Sequence, residues 1–202
     1  MRQINDVVKN SQANNRIIKI LKDGGIGVMP TDTIYGLVGS ALSKKTVEKV
    51  YKARRRNPEK PFIILIATVE DLNLFRIKID SYSKKLLSRV WPGMVSVILT
   101  CPYKNFEYLH RGTSSLAFRL PKNKGLINLL KKTGPLVAPS ANPERLPPAD
   151  NIRGAKKYFG KRIDFYVNQG KIKAMPSTLI QIKNKQFSIL REGAGKLHFK
   201  KI

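Results

Sequence analysis

"VMPTDTIYGLVGSAL", residues 28–42, is the stretch on which the reading of this chain turns. It leaves an apolar run, stops at Pro30, and passes through two threonines, an aspartate and a tyrosine to glycines at 36 and 39. "IGVMP" reads as a buried strand, because a short apolar run bounded by Gly and Pro suits a sheet interior. Thr31-Asp32-Thr33 then falls at a strand end, where open α/β sheets place their ligands. Hydroxyls there can bind polar groups, and Gly36 and Gly39 allow close backbone approach. The competing reading is a Thr/Asp turn that caps the next element. The stretch holds neither cysteine nor histidine, so no activated nucleophile is evident in it.

Working outward, residues 6–22 have helical periodicity, with Ala13, Ile17, Ile20 and Leu21 on one face and Gly24-Gly25 as the stop. Ser43 can cap a helix running to about Ala53, with Val47, Val50 and Tyr51 inward. "FIILIA" (62–67) is a fully apolar strand, and Thr68 with Asp71 forms a capping box that opens a short helix. Residues 81–90 form a helix, and "WPG" (91–93) turns the chain into the strand "MVSVILT". "LAFRL" (116–120) alternates as a strand does, and 124–133 is a helix ended by Gly134-Pro135. "LVAP" is a short buried strand, and Asn151 caps a helix to Phe159. "STLIQI" and "FSILR" make a hairpin around "KNK". Strands alternating with helices early and hairpin-linked strands late predict an α/β domain with a mixed sheet.

The chain of 202 residues suits one domain spanning 1–202, and 42% hydrophobic content is ample for a core. No apolar run approaches the roughly 18 residues of a membrane span, and "MRQINDVVKNSQ" lacks a signal peptide's apolar segment. A cytoplasmic protein without membrane contact is the expectation. A single cysteine, Cys101, excludes an internal disulfide framework and a Cys-based zinc site. Charge is the unusual feature: 39 Lys+Arg against 13 Asp+Glu leave +26. Such a field attracts polyanions, either nucleic acid or free phosphates. The lysine pairs are scattered, as solvated lysines are, whereas "KARRRNPEK" (52–60) packs cations densely beside prolines.

That segment is the first of several candidate sites. Arg54 and Arg56 sit at a helix end, and Pro58 and Pro61 stiffen the loop carrying Lys60, an arrangement suited to multidentate phosphate binding. Arg119 lies among strand hydrophobics, so it needs a sheet edge or an anionic partner, which a structural ion pair would also supply. In "VAPSANPERLPPAD", Ser140 and Asn142 ride on a proline-braced loop. A serine hydrolase would need a base, but His110 and His198 lie in no triad context and G-x-S-x-G is absent. Ser177 and Arg191 again fall at strand ends. These loops supply cations, hydroxyls and amides but no covalent catalyst. That set suits a reaction whose substrate brings its own nucleophile while the protein positions phosphates.

"PTDTIYGL", "KARRRNPEKPFIILIA", "WPGMVSVIL", "LAFRLP", "APSAN", "PSTLI" and "LREGA" occur in the order seen in the YrdC/TsaC family, which the chain resembles from about residue 12 to 195. The resemblance implies a short, single-domain threonylcarbamoyl-adenylate synthase. Its fold would be a YrdC-like twisted mixed β-sheet with flanking helices around a positively charged groove. Its reaction would convert L-threonine, bicarbonate and ATP into threonylcarbamoyl-AMP, pyrophosphate and water. The product would go to a downstream threonylcarbamoyl transferase complex that modifies tRNA. Mg²⁺ would accompany the ATP, with no protein-ligated metal site.

By position, the resemblance implies that Thr33, with Thr31 close by, binds threonine, that Arg119 meets its carboxylate, and that Ala138 and Ser177 line its pocket. Arg56 and Lys60 would hold the ATP phosphates, Arg54 joining them in catalysis with Ser140 and Asn142 completing the cluster. Ser115, Arg191 and Pro148 would lie against the nucleotide. Arg54 stands where the family has lysine, Glu144-Arg145 where many members have Ser-Gly, and Leu65 where some have histidine. The main alternative is a non-catalytic module of the same fold that binds tRNA or double-stranded RNA. A second is an enzyme resembling the carbamoyl-transferring domains of hydrogenase maturation.

Overall fold

The computed structural model describes residues 11–197. Nine strands join in one mixed sheet in the order β7-β1-β2-β6-β3-β5-β4-β8-β9. They are β1 (Gly27–Pro30), β2 (Tyr35–Ser40), β3 (Ile63–Leu65), β4 (Val95–Thr100), β5 (Ser115–Arg119), β6 (Leu136–Val137), β7 (Phe165–Tyr166), β8 (Thr178–Lys183) and β9 (Gln186–Arg191). The β1–β7, β3–β5 and β4–β8 pairs are parallel and the others antiparallel.

The early part of the chain departs from the expected strand–helix alternation. Tyr35–Ser40 returns antiparallel to β1, with Pro30 opposite Tyr35, so the opening stretch is a hairpin. Its second strand escaped the sequence reading because its interior is buried on both faces and lacks alternation, and because two glycines lower its apparent strand character. The two-residue strand β7 and the short helical turns over 104–110 also went unread.

The helices are α1 (Ser11–Lys22), α2 (Lys44–Arg54), α3 (Ser81–Val90), α4 (Glu107–His110), α5 (Lys124–Thr133) and α6 (Ile152–Phe159). Their starts follow from side-chain caps that satisfy otherwise orphaned amides. The Thr46 amide donates to Ser43 Oγ at 3.2 Å, Ser83 to Asp80 Oδ1 at 2.7 Å, Leu126 to Asn123 Oδ1 at 2.9 Å, and Gly154 to Asn151 Oδ1 at 2.9 Å. Gly24 ends α1 at φ 77°, and the Gly25 amide bonds back to Ile20 O at 2.8 Å. Thr68 and Asp71 do open a helix, of 3-10 type, over Val69–Phe75, and the Asp71 carboxylate accepts the Thr68 amide. Residues 6–10 of the expected first helix and the inward placement of Ala13 lie outside the described residues, as does His198. At the other end of the chain, Asn184 and Lys185 both take positive φ, the pair a two-residue hairpin needs between β8 and β9.

Strand parity divides the core in two, since successive side chains point to opposite faces. Leu37, Ile64, Val97 and Phe118 join the cluster under α2, α3 and α6. Val38, Leu65 and Leu136 join Ile17, Leu21, Leu126 and Leu130 of α1 and α5. Burying each such side chain contributes about 1.5–3 kcal/mol, which fixes the register of every strand between the two layers.

Candidate active site

A cavity of about 340 Å³ opens on the sheet face that α1 and α5 cover elsewhere. Its floor follows from parity: Ser115, Ala117 and Arg119 of β5 line it, while Leu116 and Phe118 point into the opposite core. Gly36, Ile98 and Leu179 extend that floor across β2, β4 and β8. The candidate groups expected at strand ends and within strands thus meet around one cavity. Loops form the walls, but the floor is an uncovered face of the sheet.

Thr31 and Thr33 stand on one wall, held by their own turn. The Thr31 hydroxyl donates to Ile34 O at 2.7 Å and accepts the Thr33 amide at 3.2 Å, and the two threonine hydroxyls lie 3.1 Å apart. The turn reading and the cavity-facing reading are both realised. Gly36 faces the cavity beside Thr31, whereas Gly39 serves helix packing, since a Cβ there would meet Thr46 Cγ2 at 2.7 Å.

Asp32, between the threonines, forms an ion pair with Arg119 at 2.9 Å. Both side chains are buried, 6% and 5% exposed. Burial pulls the Arg119 guanidinium below its usual range, and Asp32 opposes that shift. Among the described residues, Arg119 Nε has no partner and neither Asp32 oxygen receives an aligned hydrogen bond. The expected need of Arg119 for an anion is met in part by Asp32, which the sequence reading placed in the Thr-Asp-Thr stretch without pairing it to Arg119. Its signal in sequence was its place between two hydroxyl residues at a strand end.

Arg54 and Arg56 form another part of the wall. Helix α2 ends at Arg55 in the left-handed region, φ 51°, and that reversal carries Arg56 toward the cavity. Arg54 is buried and donates to neutral acceptors: Asn142 O at 2.8 Å, Ser140 Oγ at 3.2 Å and Asn142 Oδ1 at 3.2 Å. Burial, then proximity to Arg56, brings its pKa down to about 10, and it remains cationic at neutral pH. Arg56 donates from Nε to Lys60 O at 3.2 Å and lies over the Phe62 ring, 5.4 Å from its centre. Phe62, also unassigned from sequence, lines the cavity.

Ser140, Ala138, Ser177, Ser115 and Arg191 also line this cavity. Ser177 shares a hydrogen bond of 2.8 Å with the fully buried Ser96, and Arg191 donates to Ser177 O at 2.8 Å. Three of the residues singled out from sequence lie off the lining. Asn142 is buried behind it as a brace, its amide donating to Pro143 O and Leu146 O. Pro148 is exposed on the proline-rich loop. Lys60 points to Glu144, at 2.9 Å, and Glu144 also accepts the Asn57 amide. Those contacts hold the Glu144 carboxyl down to about 2. His110 is used structurally: its Nδ1 accepts the Gly112 amide and its other ring nitrogen meets Tyr103 O.

Four arginines thus border a cavity with no carboxylate among its described lining residues. The Sua5/YciO/YrdC family model (Telomere recombination) matches residues 19–193. The chain belongs to this family. It is 28% identical over 178 residues to a putative threonylcarbamoyl-AMP synthase of Mycobacterium leprae, covering 87% of this chain and 80% of the relative. It is 28% identical over 176 residues to the threonylcarbamoyl-AMP synthase of Pyrococcus abyssi, covering 86% of this chain and 52% of that protein. The chain thus spans about half the length of the P. abyssi relative. The crystal structure of P. abyssi Sua5 complexed with L-threonine superposes with a TM-score of 0.85 at 24% identity, covering 95% of this chain and 56% of that one, a likeness of fold. The family match agrees with the resemblance read from the sequence motifs.

Proposed function

We propose that the chain acts as a threonylcarbamoyl-AMP synthase, joining L-threonine, bicarbonate and ATP for tRNA modification. The observation that carries this reading is one cavity that brings the hydroxyls of Thr31 and Thr33 together with Arg54, Arg56, Arg119 and Arg191. The names of the relatives in M. leprae and P. abyssi and the threonine complex of P. abyssi Sua5 support it.

In this proposal Thr31, Thr33, Ala138, Ser177 and Arg119 seat threonine. Its amine combines with bicarbonate to give a carbamate and release water. A carbamate oxygen then attacks the α-phosphorus of ATP, and the bond from that phosphorus to the bridging oxygen breaks, so pyrophosphate leaves with the electron pair. Arg54 and Arg56 offset the charge that builds on the leaving group, and preorganised cations do this at little cost at the moment of reaction. Lys60 would join them by exchanging Glu144 for phosphate oxygens, while Ser115, Ser140 and Arg191 lie against the nucleotide. No three metal-ligating side chains converge among the described residues. In the proposal Mg²⁺ would enter as the triphosphate's own counter-ion. No helix among the described residues is long and apolar enough to cross a membrane, and a cytoplasmic location beside the tRNA-modifying transferase completes the proposal.

The test is pyrophosphate release by the purified chain. The expected result is release that requires both L-threonine and bicarbonate. Release that is indifferent to threonine, or stabilisation by tRNA but not by ATP with threonine, would remove the reading in favour of another substrate or an RNA-binding module.

A further inference from the structure

Asp32 is the buried charge for which the proposed chemistry has no use. Its side chain lies outside the cavity lining, yet it is 6% exposed and 2.9 Å from Arg119, which does line the cavity. A carboxylate buried without aligned donors is costly, and it persists here only because a guanidinium stands beside it. The Thr31–Ile34 turn explains how it arrives there. The hydrogen bonds that tie Thr31 to Ile34 and Thr33 turn both threonines to the cavity and leave Asp32 facing Arg119.

Two consequences follow for the wall that carries Arg119. First, the ion pair couples the β1–β2 turn to β5, so the two hydroxyls and the guanidinium form one unit. Second, the pair leaves Arg119 Nε buried with no acceptor among the described residues, and a buried donor without an acceptor is a strong demand for one. A carboxylate seated in the cavity beside Thr31 and Thr33 would meet the guanidinium where Arg119 lines the cavity. Arg191, the other charge acting on Arg119, repels it, so Asp32 also keeps the guanidinium from being displaced by its neighbour.

We propose that Asp32 is a positioning residue: it holds Arg119 in the cavity wall so that its guanidinium receives the carboxylate of the amino-acid substrate. The inference rests on the reading that this wall seats threonine. It concerns affinity for the amino acid and leaves the phosphate-binding wall untouched.

The experiment is calorimetric titration of the full chain with L-threonine and, separately, with ATP, for wild type, Asp32→Asn, Asp32→Glu, Arg119→Met and the Asp32→Asn/Arg119→Met double variant. Asp32→Asn should weaken threonine binding about tenfold, the scale of one charge-assisted hydrogen bond, and change ATP binding by less than about twofold. Asp32→Glu should restore part of the loss. In the Arg119→Met background, Asp32→Asn should add nothing, because it acts only through Arg119. Equal losses for both ligands, or additive losses in the double variant, would overturn the inference, since either marks a general structural role. If Asp32→Asn does not fold, Asp32→Glu carries the test, and undiminished threonine binding there overturns it. The reading beneath has its own signature: if Arg119→Met binds threonine as wild type does, the seat of threonine lies elsewhere and the inference falls with it. If Arg119→Met weakens threonine but both Asp32 variants do not, the reading stands and the inference alone fails.

Discussion

The two walls of the cavity each bury an arginine, and they satisfy it in opposite ways. Arg54 is surrounded by neutral acceptors from Ser140 and Asn142, so its charge is solvated by dipoles and remains available to an anion. Arg119 meets the carboxylate of Asp32, so its own charge is offset while one N–H stays unpaired. Around Arg54 stand Arg56 and Lys60 against the single carboxylate of Glu144. A cation-rich wall suits a triphosphate, and a wall of hydroxyls with a neutralised arginine suits an amino acid. The difference lies in the partners each arginine has, and the residue type alone does not reveal it.

The comparison breaks most directly on stability. Arg119→Met strands the Asp32 carboxylate in the interior and should cost about 3–5 kcal/mol of unfolding free energy, read by urea titration. Replacing Asp32 by Asn in that background should recover part of the loss. The next effect is on rate. Arg56→Ala removes a half-buried cation with no carboxylate of its own, and it should retain the fold while losing synthesis by an amount equivalent to about 2.7–4 kcal/mol in the barrier. Near-normal turnover in that variant would remove Arg56 from the mechanism.

Arg54→Met should fall below Arg119→Met, at about 1–3 kcal/mol, because it leaves only neutral acceptors unpaired. If Arg54→Met proved the costlier of the two, the distinction between the walls would be wrong. The smallest effect concerns Glu144. Its carboxyl is held down to about 2 by Lys60 and the Asn57 amide. A depressed carboxyl stabilises the fold above its ordinary range, near 4.5, and that contribution is lost as pH falls toward 2. Glu144→Gln should therefore melt slightly below wild type at pH 7, and the two melting curves should converge as pH approaches 2.

Much of this architecture was legible in the residues. Ser43, Asn123 and Asn151 announced their helices because a cap is a local event, decided by one side chain and an amide three residues on. The loop cations and hydroxyls stood out because prolines and glycines mark rigid turns. Strand β2 did not, since a strand buried on both faces shows no alternation. The floor of the cavity was half visible: "SLAFRL" alternates, and the parity that sends Phe118 into the core sends Arg119 the other way. What no local pattern could reveal is pairing across the sheet. Asp32 and Arg119 are 87 positions apart in sequence and 2.9 Å apart in space. Lys60 likewise stands out as a loop cation, but no local pattern pairs it with Glu144, 84 positions on.

The claim beneath both walls is that one cavity joins a carboxylated threonine to an adenylate. Mass spectrometry of the product formed from ATP, L-threonine and carbon-13 bicarbonate tests it directly. The account predicts a threonylcarbamoyl-AMP that carries the label and disappears when any one of the three substrates is withheld. An adenylate without the label, or no adenylated threonine at all from active, folded protein, would contradict it.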